Sequence, residues 1–92
     1  MQGTVDKLER VLAIALEEGI HIRREWLRGV RGGLVRVGRQ PILFVDESLT
    51  VSDQWDQVRA ALAQLDWTDT PFGEEIVDLL GGKEPVLPSI LA

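Results

Sequence analysis

At 92 residues, with 45% hydrophobic and 27% charged residues, the chain is the size of one small domain with enough apolar content for a packed core. It has no cysteine, which excludes a disulfide framework and thiolate chemistry and suits a cytoplasmic protein. Met1 to Lys7 show no basic stretch leading into an apolar one, and no apolar run approaches the roughly 20 residues of a membrane helix, so neither a secretion signal nor a membrane partner is expected.

The net charge of −5 conceals a division. Residues 23–39 carry six arginines (Arg23, Arg24, Arg28, Arg31, Arg36 and Arg39) against one acid, Glu25, while the remainder carries four bases against fourteen acids. An acidic chain is a poor general binder of nucleic acid, because phosphate binding is mainly electrostatic. The basic segment keeps a local anion site open.

In chain order, residues 4–18 place Val5, Leu8, Leu12 and Ala15 at helical spacing, with Val11, Ile14 and Leu16 widening the stripe. Thr4 is the expected N-cap and Gly19 the residue that ends the helix. Ile20-His21-Ile22 alternates as a strand does, with Ile20 and Ile22 inward. Three glycines between Gly29 and Gly33 then mark a loop. Residues 34–37 and 42–46, rich in Val, Ile, Leu and Phe, are expected to form a β-hairpin turning through Gly38-Arg39-Gln40-Pro41. Pro41 restricts that position to a strand start or an unpaired edge.

Val51, Trp55, Val58, Leu62 and Leu65 form a single stripe on a helix over 51–66, capped by Thr50 or Ser52. Thr70-Pro71 predicts the start of a short third helix over 71–80, ended by Gly81-Gly82. Residues 1–82 thus form the domain. The tail, 83–92, is apolar and carries Pro85 and Pro88, so it is expected to wrap over its own core or lie on a neighbouring subunit.

Catalytic constellations are scarce. His21 is the only side chain titrating naturally near neutrality, and it has no identified partner beyond the strand-end acids Asp46 and Glu47. The pairs Glu17-Glu18, Asp46-Glu47 and Glu74-Glu75 are adjacent in sequence, and helical neighbours point about 100° apart, so a shared-proton dyad is not expected. Arg31-Gly32-Gly33-Leu34 is not a phosphate loop, since its glycines open a strand and no Gly-Lys-Ser/Thr follows. No cofactor and no metal are expected. The arginines either pair with the abundant acids and guard a sheet edge, or form an anion or partner site together with Trp26. An exposed Trp26 would mark an interface.

The pattern Gly32-Gly33-x-x-Arg36, followed by Ile42-Leu43-Phe44-Val45-Asp46 and a helix, resembles the opening half of ImmA/IrrE-type zinc metallopeptidases over residues 19–65. That resemblance implies a zinc motif near Ala60-Ala61-Leu62-Ala63-Gln64, where this chain has neither the histidines nor the glutamate. The chain also resembles small bacterial proteins with a Gly-Gly-Leu-x-Arg hairpin, a likeness that implies no activity.

The expected fold is α+β: a three-stranded antiparallel sheet (20–24, 34–37, 42–46) packed against helices 4–18 and 51–66, with a short C-terminal helix. The expected function is a non-enzymatic interaction or regulatory module, self-associating as a homodimer. The alternative is anion or nucleic-acid binding through the arginine-rich segment 23–39.

Overall fold

In a computed structural model that describes residues 3–29 and 32–81, the first apolar stripe becomes α1 (Thr4–Glu17). Its buried side is Leu8, Val11, Leu12, Ile14 and Ala15, while Val5 and Leu16 are exposed. Gly3 takes the N-cap position instead of Thr4, and its carbonyl accepts from Lys7 N. The helix ends as expected at Gly19, where φ is +92°. There Gly19 N donates to Leu16 O and Ile20 N to Ala15 O, the paired bonds of a Schellman motif. Ile20 is thereby carried into the core.

Three strands follow: β1 (His21–Glu25), β2 (Gly33–Val37) and β3 (Gln40–Asp46). The sheet is mixed, which corrects the antiparallel expectation. Its order is β1-β3-β2, with β3 antiparallel to β2 and parallel to β1. The connection between β1 and β2 is long enough to carry β2 one strand position away from β1. The hairpin then returns β3 into the gap, antiparallel to β2 and therefore parallel to β1. Being central, β3 is paired along both of its edges.

Gly38, at φ +66°, with Arg39 makes the two-residue turn, since Val37 and Gln40 are register partners. Pro41 is tolerated in the central strand because β1 begins only opposite Ile42. Its missing N–H faces a side where no strand has yet started.

α2 (Val51–Leu62) is capped by Thr50, whose Oγ1 accepts from Asp53 N at 3.1 Å. It stops four residues before the expected end. Trp67 folds back, buried, and its Nε1 donates to Leu62 O at 2.9 Å, satisfying a carbonyl at the helix end. α3 (Gly73–Leu79) starts two residues after Pro71, because Thr70-Pro71 forms a turn closed by Gly73 N donating to Thr70 O. Gly73 is required by close approach: a Cβ there would lie 2.1 Å from Trp67 O.

The helices pack with Leu43 and Val45 of β3, and Val58, Leu62 and Ile76 complete a core that is fully buried. Arg10 on α1 and Glu75 on α3 clasp the outer helices through paired hydrogen bonds of 2.6 and 2.8 Å. Among the described residues no helix is long and apolar enough to cross a membrane. The tail 83–92 lies outside the described residues.

Candidate functional site

The site is built outward from the end of β3. Asp46 is fully buried, and its carboxylate is fully engaged. Oδ1 accepts from Leu27 N at 2.9 Å, Ser48 N at 2.9 Å and Ser48 Oγ at 2.6 Å, and Oδ2 accepts from Gly29 N at 2.6 Å. Burial pushes the carboxyl upward, but the Ser48, Leu27 and Gly29 donors outweigh it and bring the pKa down to about 2. Asp46 is therefore a charged anchor for the loop between β1 and β2. That loop holds Arg28 in the left-handed region, at φ +58°, and leads into Gly33 at φ +109°.

The anchored loop separates the arginines of the basic segment. Arg24 lies against α1 and grips Glu9 with two 3.0 Å bonds, and its Nε meets Glu47 at 3.1 Å. The Glu9 bonds and the Glu9 and Glu47 charges raise its pKa above the ordinary arginine value. Arg23 pairs with Glu25 and lies over the Phe44 ring, 5.8 Å from its centroid. Among the described residues Arg28, Arg36 and Arg39 form no ion pair, and Trp26 stacks on no guanidinium. Arg31 lies outside the described residues. The seven candidate residues thus do not converge on one point. Two arginines are tied to acids, Arg28 lies in the loop before β2, Arg36 within it and Arg39 in the turn after it, and Trp26 stands 69% exposed beyond the end of β1.

What the strands do bring together is an apolar surface. Register partners share a face of a sheet, so Ile22, Leu43 and Leu34 lie on the side of the core. The opposite side carries His21 and Arg23 of β1, Ile42 and Phe44 of β3, and Val35 of β2, with Val37 beyond it. Among the described residues no helix packs on this side. Val35 is 40% exposed and Val37 63% exposed, and even Ile42 and Phe44, in the central strand, are only half-buried. Gly33 sits opposite Phe44 and supplies no side chain to cover the ring. The alternation in β2 could have pointed to Val35 and Val37. The exposure of β3 could not be read, because its run is apolar on both faces.

His21 and Asp46 are kept apart. His21 is level with Ile42 and Asp46 with Glu25, so four register steps, roughly 13 Å, separate them. Where the zinc motif of the metallopeptidases would fall, Ala61 and Leu62 are packed into the core. Among the described residues no three His, Cys, Asp or Glu side chains converge as metal ligands do. A cleft of about 650 Å³ between the end of α2 and α3 is lined by Leu65, Asp66, Thr68, Thr70, Glu74 and Val77. Asp66 there is occupied by its own turn, accepting from Thr68 N at 3.0 Å and Thr68 Oγ1 at 2.7 Å.

No family model, no curated protein and no solved structure matches the chain.

Proposed function

We propose that the chain is a non-enzymatic protein-interaction module of the cytoplasm, and that it self-associates as a homodimer through the helix-free face of its sheet. One observation carries the reading: Val35, Val37, Ile42 and Phe44 form a contiguous apolar strip on the side away from the helices. Soluble chains seldom leave such a strip bare without a contact for it. Arg23 and Glu25 rim the strip as an adjacent cation and anion, so two faces related by a two-fold axis can exchange ion-pair partners without stranding a charge. The non-enzymatic part rests on the distance from His21 to Asp46 and on the engagement of both Asp46 oxygens. On this reading the likeness to ImmA/IrrE-type metallopeptidases is one of element order without the metal chemistry.

The face is small. Three strands of five to seven residues span roughly 14 by 17 Å. The expected association is therefore weak and concentration-dependent. Sedimentation velocity over a concentration series tests it. A monomer–dimer equilibrium that Val37→Asp abolishes, with circular dichroism unchanged, is the expected result. A strict monomer at millimolar concentration, or a dimer indifferent to the substitution, defeats the reading.

The second reading, anion or nucleic-acid binding, is favoured by Arg28, Arg36 and Arg39, which have no acidic partner among the described residues. It expects salt-sensitive binding of an oligonucleotide that Arg36→Ala with Arg39→Ala weakens.

A further inference from the structure

We infer that the outer edge of β2 takes up an extended acidic segment of a partner protein as a fourth strand of the sheet. The inference rests on the reading of the chain as an interaction module, but it uses the backbone edge of the sheet, with the partner strand lying beside the face and not on it.

The order β1-β3-β2 leaves β2 paired on one side only. Among the described residues no element pairs with its outer side. An edge strand presents unpaired N–H and C=O groups that an extended peptide can continue as a ladder. The charge beside that ladder is unusual for this chain. Residues 26–40, which include β2 and both its flanks, contain four arginines and no acid. The remaining residues hold six bases and fifteen acids. Arg36 stands within β2 and Arg39 in the turn after it, so two cations lie toward one end of the edge, while Arg28 stands in the loop before β2, near the end of β3.

This distribution selects the occupant. A second copy joined edge to edge would set Arg36 and Arg39 of each chain beside those of the other, with no acid on either strand to offset them. A polyanion would meet the arginines but would leave the amide ladder unused and face the acidic remainder of the molecule. A short segment with a few carboxylates satisfies both features. The pleat adds a pattern. Val35 and Val37 point to the helix-free face and Arg36 to the other, so the partner strand should alternate apolar residues over the valines with acids toward Arg36.

The test uses the full chain and fluorescently labelled heptapeptides, read by anisotropy. One peptide alternates valine and glutamate, a second alternates valine and lysine, and a third is the glutamate peptide N-methylated at alternate residues. A short oligothymidylate is the fourth probe. The glutamate peptide is expected to bind at least about tenfold more tightly than the lysine peptide, and N-methylation to cost about tenfold or more. The double variant Arg36→Glu, Arg39→Glu, with its folding checked by circular dichroism, is expected to reverse the preference between the glutamate and lysine peptides. Undiminished binding of the N-methylated peptide overturns the inference, because no ladder is then formed. Tighter binding of oligothymidylate overturns it in favour of a nucleic-acid site. Absence of binding to every probe overturns it in favour of arginines that merely protect the edge. Sedimentation of the same samples separates the two readings. Failed peptide binding with dimerisation intact defeats the edge alone, and failed dimerisation with peptide binding intact defeats the face alone.

Discussion

Asp46 Oδ2 accepts the amide proton of Gly29 at 2.6 Å, joining the end of β3 to a loop seventeen residues earlier in the chain. With the bond from Leu27 N, this contact ties the chain just after β1 to the end of β3, the strand with which β1 pairs in parallel.

Asp46→Asn should be strongly destabilising although it is nearly isosteric. An amide has one acceptor oxygen, and its NH₂ would have to point either at Gly29 N–H or at the Leu27 and Ser48 donors. The melting temperature, followed by circular dichroism, should fall by roughly 10 °C.

The same carboxylate should shape the acid response. Its folded pKa, about 2, lies below the ordinary 3.8, so between these values the unfolded chain binds more protons than the folded one. The stabilisation is complete above the ordinary value and is lost as the pH falls toward 2. Glu75, lowered by its Arg10 hydrogen bonds, and Asp66, lowered by Thr68, act in the same direction. Urea midpoints measured from pH 5 to pH 2 should therefore decline in the native chain. They should decline less steeply in Asp46→Asn, with a residual slope from Glu75 and Asp66.

Two glycines should respond differently to alanine. At Gly73 the added Cβ meets Trp67 O at 2.1 Å, so backbone must shift, at about 1–3 kcal/mol. At Gly19 nothing lies within 4 Å, and the cost is that of φ +92°, about 1 kcal/mol. Denaturant unfolding of the two variants should rank Gly73→Ala as the more damaging.

Trp67→Phe keeps most of the buried ring and removes one of the two hydrogen bonds to Leu62 O, which then accepts from Leu65 N alone. A loss of about 1 kcal/mol in chemical denaturation is expected, with the far-ultraviolet spectrum preserved.

The helices were legible because their stripes are local: Leu8, Leu12 and Ala15, or Val58 and Leu62, repeat at helical spacing whatever they pack against. The hairpin was legible from Gly38. The pairing of β1 with β3 was not, since Ile20-His21-Ile22 reads the same beside a parallel neighbour as beside an antiparallel one. Asp46 was visible as a strand-end acid, and Ser48 two residues on is a turn signal. Its other partners are the backbone amides of Leu27 and Gly29, which carry no sequence signature. Thr70-Pro71 predicts a helix start because proline fits that position. The approach of Gly73 to Trp67, which sets the true start, depends on tertiary packing. The arginines stood out as a charge run, but composition could not say that Arg23 and Arg24 are tied to acids while Arg28, Arg36 and Arg39 form no ion pair among the described residues.

The claim that the helix-free face is the interface is tested most directly by amide NMR spectra of the labelled chain, diluted from millimolar to low micromolar concentration. The account predicts that the resonances of Val35, Val37, Ile42 and Phe44 move together with dilution while those of Val58 and Ile76, inside the core, stay fixed. Spectra that do not change with concentration, or changes confined to the helices, would contradict it.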